Sequence, residues 1–273
     1  AADFKGDSAE VTSALPLSKD EEAAVKKDVL AKVGAQAVSF RVDPSILGGL
    51  VIKVGSLMLG GRGVCFPALS YFMEEIASEC LGMANVIGAH YLGLGTLIVT
   101  WNMPLMARVC DEIVSGEKNG QACLVSLAMT EPTSGSDTPE PELLDKGTVN
   151  CHAGKVAGGY RVNGSKLFIS NGHFSTWHIT VAFEDLKRPA DSGVVLAVKT
   201  GSPGFKIGGK ESKMGQLACP ASELFFNDCF VPDDQVALCA DHTRGYHRTG
   251  RQIYQRLFDD LCSISRAGSC ALS

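Results

Sequence analysis

The sequence predicts an α+β protein: a helical N-terminal layer, then an antiparallel β-barrel or sandwich domain, then the start of a further helix. Three observations carry this. Apolar residues recur at the helical period through residues 62–122. From about residue 123 the period changes, and short β-rich runs follow one another between turn residues with no helix among them. After Pro232 the chain turns polar, and a helical pattern returns from about Arg251. Four segments follow from these changes: 1–61, 62–122, 123–236 and 237–273.

In the first segment, Ser18 with Glu21 three residues later forms a capping box. Ala24, Val25, Leu30 and Val33 supply an apolar stripe, and Gly34 a C-cap. Ala37 to Val42 and Leu50 to Val54 read as strands, with turn chemistry between them at Asp43-Pro44-Ser45 and Gly48-Gly49. The segment is therefore expected to be a helix plus a β-hairpin. In the second segment, Leu69, Phe72, Met73, Ile76 and Cys80 line one helix face, and Gly82 closes the helix. The apolar run from Val86 to Thr100, with His90 and three glycines, is shorter than the roughly 20 residues of a bilayer span and reads as a buried helix. A third helix starts near Pro104, turns Leu105, Met106, Val109, Cys110 and Ile113 inward, and ends at Gly116.

The third segment offers strands at Tyr160 to Val162, Leu167 to Ser170, Trp177 to Phe183, Val194 to Lys199 and Glu223 to Phe230, with Asn163-Gly164 as its strongest hairpin turn. Trp177 is expected in the core, His173 and His178 on a loop and a strand face, and Lys155 and Lys166 on solvated edges. The last segment stops at Ser273 inside an apolar-periodic stretch without a cap. That helix is expected to belong to a domain outside this chain. At the other end, Ala1 stands where a methionine is usual.

Composition excludes several functions. A net charge of −5, with 45% hydrophobic and 20% charged residues, is a globular balance and gives no basic run for nucleic acid. Asp3, Lys5, Asp7 and Glu10 interrupt any signal-peptide core. The ten cysteines show no CxxC. They read as reduced thiols of a cytoplasmic or organelle-matrix protein, with no metal site.

Three motifs carry chemistry. "LAMTEPTSGSD", residues 127–137, resembles the A-x-T-E-P-x-x-G-S-D signature of acyl-CoA dehydrogenases. "GYRVNGSKLFISNG" resembles a second signature of that family, and "SPGFKIGGKESKMGQLACPASELFFNDCFVP" its closing β-strands. Their order and spacing cover about residues 63–232. An isoalloxazine ring is flat and largely apolar with polar edges, and a short loop of small residues can hold it with backbone N–H and hydroxyl donors. "MTEPTSGS" has that character, since Pro132 stiffens the turn and Gly135 admits close backbone approach.

The resemblance implies FAD as cofactor and an acyl-CoA as substrate. Leu127, Met129, Thr130, Gly135 and Ser136 would line the flavin, with the Thr130 hydroxyl near the reactive edge and Ser136 also touching the acyl-CoA. Phe168, Ile169 and Ser170 would form a second flavin-contacting strand. Phe168 stands where the family often has tryptophan and would cover one ring face. The family's catalytic glutamate matches no residue here; Glu131 belongs to the loop signature. "RLFDDLCSISRAGSCALS" resembles the first helix of the family's C-terminal helical bundle, incomplete here, with Arg266 as a substrate or cofactor contact. Ser263 stands where an aspartate is usual. An electron-transfer flavoprotein or similar acceptor, and a homo-oligomer once completed, are implied partners, with no membrane span.

The segment "VTSALPLSKDEEAAVKKDVLAKVGAQAVSFRVDPSILGGLVIKVGS" resembles the C-terminal part of the delta (oligomycin-sensitivity-conferring) subunit of ATP synthases. Three readings stand at this level: an oxidoreductase chain that is catalytically incomplete by itself, an interaction protein docking through the delta-like segment, and a chimera joined near Leu59 to Gly63.

Overall fold

The computed structural model describes residues 8–13, 16–33, 37–43, 50–54, 57–59, 66–100, 102–138 and 140–239. Gly34, Arg266 and the helix expected after Arg251 lie outside them. The chain divides into two compact units with a boundary between Glu74 and Glu75.

The N-terminal unit begins with a strand the sequence reading missed, β1 (Ser8–Ser13), followed by α1 (Lys19–Val33), β2 (Ala37–Val42), β3 (Leu50–Val54) and β4 (Leu57–Leu59). The capping box forms as expected: Ser18 N–H donates to Glu21 Oε2 at 2.8 Å, and Glu21 N–H to Ser18 Oγ at 3.3 Å. Val29 is fully buried, whereas Ala24 is exposed. The two expected strands occupy their expected residues but do not pair. β1 lies between them, parallel to β2 and antiparallel to β3, and the hairpin is β3 with β4. Ala9 and Val11 are fully buried, which makes β1 the inner strand despite its short polar sequence.

Helices follow, the first of them beginning before the boundary at Glu74. α2 (Phe66–Val99) is two helical stretches joined across a kink at Cys80, whose φ and ψ are −153° and 98°. The break falls two residues before Gly82, the expected end of the first stretch. That glycine is buried within the helix, where a Cβ would stand 2.9 Å from the Cβ of Ala218. A Cβ on Gly93 would stand 2.8 Å from Val125 Cγ1. Gly93 is thus where the helix approaches the strand that starts at Val125, whereas Gly82 packs on the loop at Gln216 and Ala218. By length and composition Phe72–Val99 reaches the size of a membrane span, longer than the Val86 to Thr100 run suggested. Its polar groups nevertheless bond to the β-domain: Asn85 to Gln216 at 2.7 Å, and the Val86 carbonyl to Asn171 Nδ2 at 2.7 Å.

α3 (Met103–Lys118) has Pro104 in its first turn and Asn102 as N-cap, its side chain accepting from Leu105 N–H at 3.2 Å. Met103, Leu105, Met106 and Val109 are buried, but Cys110 is exposed. The helix ends beyond Gly116. Gln121 N–H bonds to the Gly116 carbonyl at 2.8 Å and Gly120 N–H to that of Glu117 at 3.1 Å, with Gly120 at φ +70°, a Schellman ending.

β5 (Val125–Ala128), a short α4 (Pro141–Leu144), β6 (His152–Val156), β7 (Gly159–Ser170), β8 (Trp177–Phe183), β9 (Gly193–Lys199), β10 (Phe205–Lys210), β11 (Ala221–Pro232) and β12 (Val236–Leu238) complete the domain. The strands form one eight-stranded sheet, ordered β10-β11-β7-β6-β8-β9-β12, with β5 joined to β8. Pairing is antiparallel except that β5 and β6 run parallel to β8. Among the described residues no ladder joins β10 to β12. The expected barrel or sandwich is therefore replaced by one open, mostly antiparallel sheet. Every residue of β8 is buried, which explains its mostly apolar sequence, with His178 and Thr180 as the polar exceptions.

Asn163-Gly164 is not a hairpin turn either. It lies inside β7, and the turn before that strand is Ala157-Gly158, with Gly158 at φ +78°. Gly164 sits at φ +136°, where a Cβ would stand 2.7 Å from Cys151 Cα, so the incoming backbone demands glycine. Asn163 Oδ1 accepts from Asp228 N–H at 2.8 Å, capping a bulge in β11. Gly164→Val is expected to destabilise the β-domain by about 2 kcal/mol or more, read as a lower urea midpoint.

Candidate functional site

The site is built where β5 runs out into its loop beside the end of β7. Glu131 and Ser134 close a tight turn over Pro132 and Thr133, with Glu131 N–H bonded to the Ser134 carbonyl at 2.8 Å. Thr133 Oγ1 donates to the Thr148 carbonyl at 2.7 Å and accepts from Asn150 Nδ2 at 3.0 Å. Asp137 folds back, accepting from Gly135 N–H at 2.6 Å and from Ser134 Oγ at 3.1 Å. Burial pushes that carboxyl up, but these bonds outweigh it and hold it below the ordinary carboxylate value.

Under the loop lies a buried ion pair. Lys166 Nζ stands 2.7 Å from Glu131 Oε1, with side-chain exposures of 0% and 1%. Lys166 also donates to the Met129 carbonyl at 3.0 Å. The second oxygen of Glu131 accepts from the backbone N–H groups of Asn150 and Cys151. The expectation of a solvated Lys166 is therefore overturned: a lysine this deep must be paired, and Glu131 pairs it. Lys155, by contrast, is exposed. Both members of the pair sit among apolar neighbours in "SLAMTEP" and "SKLFIS", which was the available signal. Burial pushes the neighbouring Cys151 thiol up to about 11, so it remains protonated.

Two residues past Lys166, Phe168 adopts φ +56° and is 61% exposed. Ser222 faces Ile169 and Leu224 faces Lys166, so β7 carries an extra residue there. Left-handed backbone is costly for a bulky side chain and is kept where the surroundings enforce it. They do so here. Leu167 N–H bonds to the Thr130 carbonyl at 2.9 Å, and Asn171, fully buried at φ +63°, is held by Val86 and Pro220.

The loop and the end of β7 are joined by Lys166 Nζ on the Met129 carbonyl and by Leu167 N–H on the Thr130 carbonyl. Thr130 and Gly135 are also adjacent: a Cβ on Gly135 would meet Thr130 Cγ2 at 3.9 Å and nothing nearer. Leu127, Met129, Thr130, Gly135 and Ser170 are half-buried, and Ser136 is exposed. Among the described residues no group bonds to the side-chain hydroxyls of Thr130, Ser136 or Ser170. Ile169 is different, with its side chain buried in the core and its carbonyl bonded to Gly172 N–H at 2.9 Å.

Behind the site, Ser126 and His178 face each other across β5 and β8. Thr200 Oγ1 donates to the Ser175 carbonyl at 2.7 Å, so it accepts from His178 Nε2 at 2.9 Å. His178 Nδ1 is left to accept from Ser126 Oγ at 2.8 Å. Both residues are fully buried, which excludes a hydrolytic Ser-His pair. Burial pulls His178 down to about 4. Trp177 is buried as expected, with Nε1 donating to Glu112 Oε2 at 3.0 Å, and His173 is exposed. No group of three or more His, Cys, Asp or Glu residues is placed to hold a metal ion among the described residues.

Residues 126–229 match the family model "Acyl-CoA dehydrogenase, middle domain", and residues 2–62 match that of the ATP synthase delta (OSCP) subunit. Cyclohex-1-ene-1-carbonyl-CoA dehydrogenase of Syntrophus aciditrophicus is 31% identical over 188 residues, covering 69% of this chain and 42% of that protein. Butyryl-CoA dehydrogenase from Megasphaera elsdenii shares the fold, with a TM-score of 0.54 at 24% identity over 73% of this chain and 47% of its own. The FAD complex of PigA shares it too, with a TM-score of 0.54 at 21% identity over 78% and 52%. The chain thus spans less than half the length of the dehydrogenases it is compared with.

Two outcomes are expected. Lys166→Met, which leaves Glu131 buried without its cation, lowers stability by about 3–5 kcal/mol in urea unfolding, and E131Q/K166M recovers at least about half of that. His178 titrates at its ordinary 6.5 when unfolded and at about 4 when folded, so the folded state resists protonation. Its contribution is complete above pH 6.5 and is lost as pH falls toward 4. Unfolding free energy should drop by about 2–3 kcal/mol over that window, and by less in His178→Gln.

Proposed function

We propose that the acyl-CoA dehydrogenase-like middle domain of this chain holds the isoalloxazine of FAD against the Thr130–Phe168 edge and works in the α,β-desaturation of an acyl-CoA thioester. The observation that carries this is Phe168: a large aromatic side chain, kept exposed by a left-handed bulge that the neighbouring backbone enforces, offers a flat apolar face. The same two segments carry the hydroxyls of Thr130 and Ser170, unbonded among the described residues, and Gly135, where a Cβ would meet only Thr130 Cγ2 at 3.9 Å. A ring with polar edges fits that set.

FAD would supply the hydride acceptor for the β-carbon of the thioester. The chain's own residues would bind and orient. Phe168 covers a ring face, Leu127 and Met129 supply apolar contact, and Thr130, Gly135, Ser136 and Ser170 supply polar groups and room. Ser136, exposed at the loop tip, suits a contact to the acyl-CoA. Ile169 acts from behind, anchoring the bulge through its core side chain. Neither carboxylate of the loop serves as the base that removes the α-proton, because Glu131 is bound to Lys166 and two backbone N–H groups and Asp137 is folded onto Gly135 and Ser134. That base, Arg266 as a further contact, an electron-transfer flavoprotein as acceptor and a homo-oligomer belong to the same proposal, supported by the resemblance alone.

A second reading concerns the N-terminal unit, whose match to the delta subunit points to protein docking. It does not compete for the same residues.

The test is an absorbance spectrum of the purified chain after FAD addition and desalting. A retained flavin band that acyl-CoA does not bleach is expected, together with at least about tenfold weaker FAD binding in Phe168→Ala. Loss of the whole band from the unaltered chain would contradict the reading.

A further inference from the structure

We propose that the buried Lys166–Glu131 pair is a positioning device for the flavin edge: it fixes the Met129–Thr130 peptide so that the Thr130 N–H points out to the ligand side. This rests on the flavin reading above and deepens it.

The peptide plane fixes two directions at once. In a trans peptide the C=O and the following N–H point in opposite directions. The Met129 carbonyl points at the Lys166 ammonium, 3.0 Å away and fully buried. The Thr130 N–H therefore points the opposite way, and among the described residues no acceptor takes it. The next peptide alternates in the same manner. The Thr130 carbonyl turns inward to Leu167 N–H at 2.9 Å, and the Glu131 N–H turns to the Ser134 carbonyl at 2.8 Å.

The pair also sits at the right places in the chain. Glu131 directly follows Thr130, and Lys166 stands two residues before Phe168. The ion pair joins the two segments that would grip the ring, so their spacing is set from below. Glu131 is fixed in turn by the N–H groups of Asn150 and Cys151. An apolar pair of similar size would fill the space yet leave the Met129 carbonyl without its buried donor, and its peptide could rotate. Lys166 and Glu131 are thus positioning residues, acting on the ligand through Met129, Thr130 and Leu167.

The test uses E131Q/K166M in the full chain. The glutamine keeps an acceptor for Asn150 and Cys151, while the ammonium on the Met129 carbonyl is lost. Urea unfolding reports the fold and fluorescence titration reports FAD affinity. The variant is expected to regain most of its stability relative to Lys166→Met and still bind FAD at least about tenfold more weakly than the unaltered chain. FAD affinity that recovers along with stability would overturn the proposal and leave the pair a purely structural one. Should the unaltered chain bind no FAD, the flavin reading fails separately, and the positioning claim is read in the ligand-free chain from a 13C-Met, 15N-Thr label on the Met129–Thr130 peptide. A single cross-peak in the unaltered chain that splits or broadens in the variant supports fixation of that peptide. An unchanged single cross-peak overturns it.

Discussion

A lysine ammonium with no exposure to water constrains everything built around it. Lys166 projects from β7 beneath the loop that leaves β5, where it is compensated by Glu131 and by the Met129 carbonyl. Taking both charges out of water costs several kcal/mol per ion, so the arrangement persists only while every partner is in place. Satisfying it draws the loop down, pulls in the chain at Asn150 and Cys151, and leaves the Thr130 carbonyl beside Leu167. The left-handed bulge at Phe168 follows directly, because Leu167 is held by the loop on one side and Ile169 by the core on the other.

The helices serve the same edge from behind. α2 lays Gly93 on β5 and Gly82 on the loop before β11, both at contact distance, and offers the Val86 carbonyl to the buried Asn171. His90 Nδ1 accepts from Val125 N–H at 3.0 Å, which fixes the start of β5. Burial holds His90 below its ordinary value, as an acceptor at that nitrogen requires. α3 docks through polar contacts as well, with Asn102 Nδ2 donating to the Val236 carbonyl at 2.8 Å and Lys199 pairing with Glu112 at 2.9 Å. The loop is thus carried by a strand whose entry and flanks are both anchored.

How much of this was legible in the sequence differs by element. Local signals read well: the Ser18–Glu21 box, the bounds of β2 and β3 and the Pro104 helix start all depend on neighbours three or four residues away. Non-local pairing did not. Ser8–Ser13 became the inner strand of its sheet because two distant strands flank it, and nothing in "SAEVTS" announces that. Asn163-Gly164 has the chemistry of a tight turn, yet Cys151 passes against Gly164 and keeps β7 running through. The motif residues around Thr130 and Phe168 were placed by resemblance, and their two segments are linked through Leu167 and Lys166. Lys166 was misread because surface is the ordinary place for a lysine, and its partner lies thirty-five residues away. The open sheet in place of a barrel is a property of its edges, which no single strand sequence encodes.

The proposed flavin edge of Thr130, Gly135 and Phe168 is tested most directly by a backbone amide NMR spectrum of the labelled chain as FAD is added. Shifts are expected to concentrate at Leu127, Thr130, Gly135 and Phe168 to Ser170, while buried Trp177 and His178 change little. No shifts at saturating FAD, or shifts confined to the N-terminal unit, would contradict it.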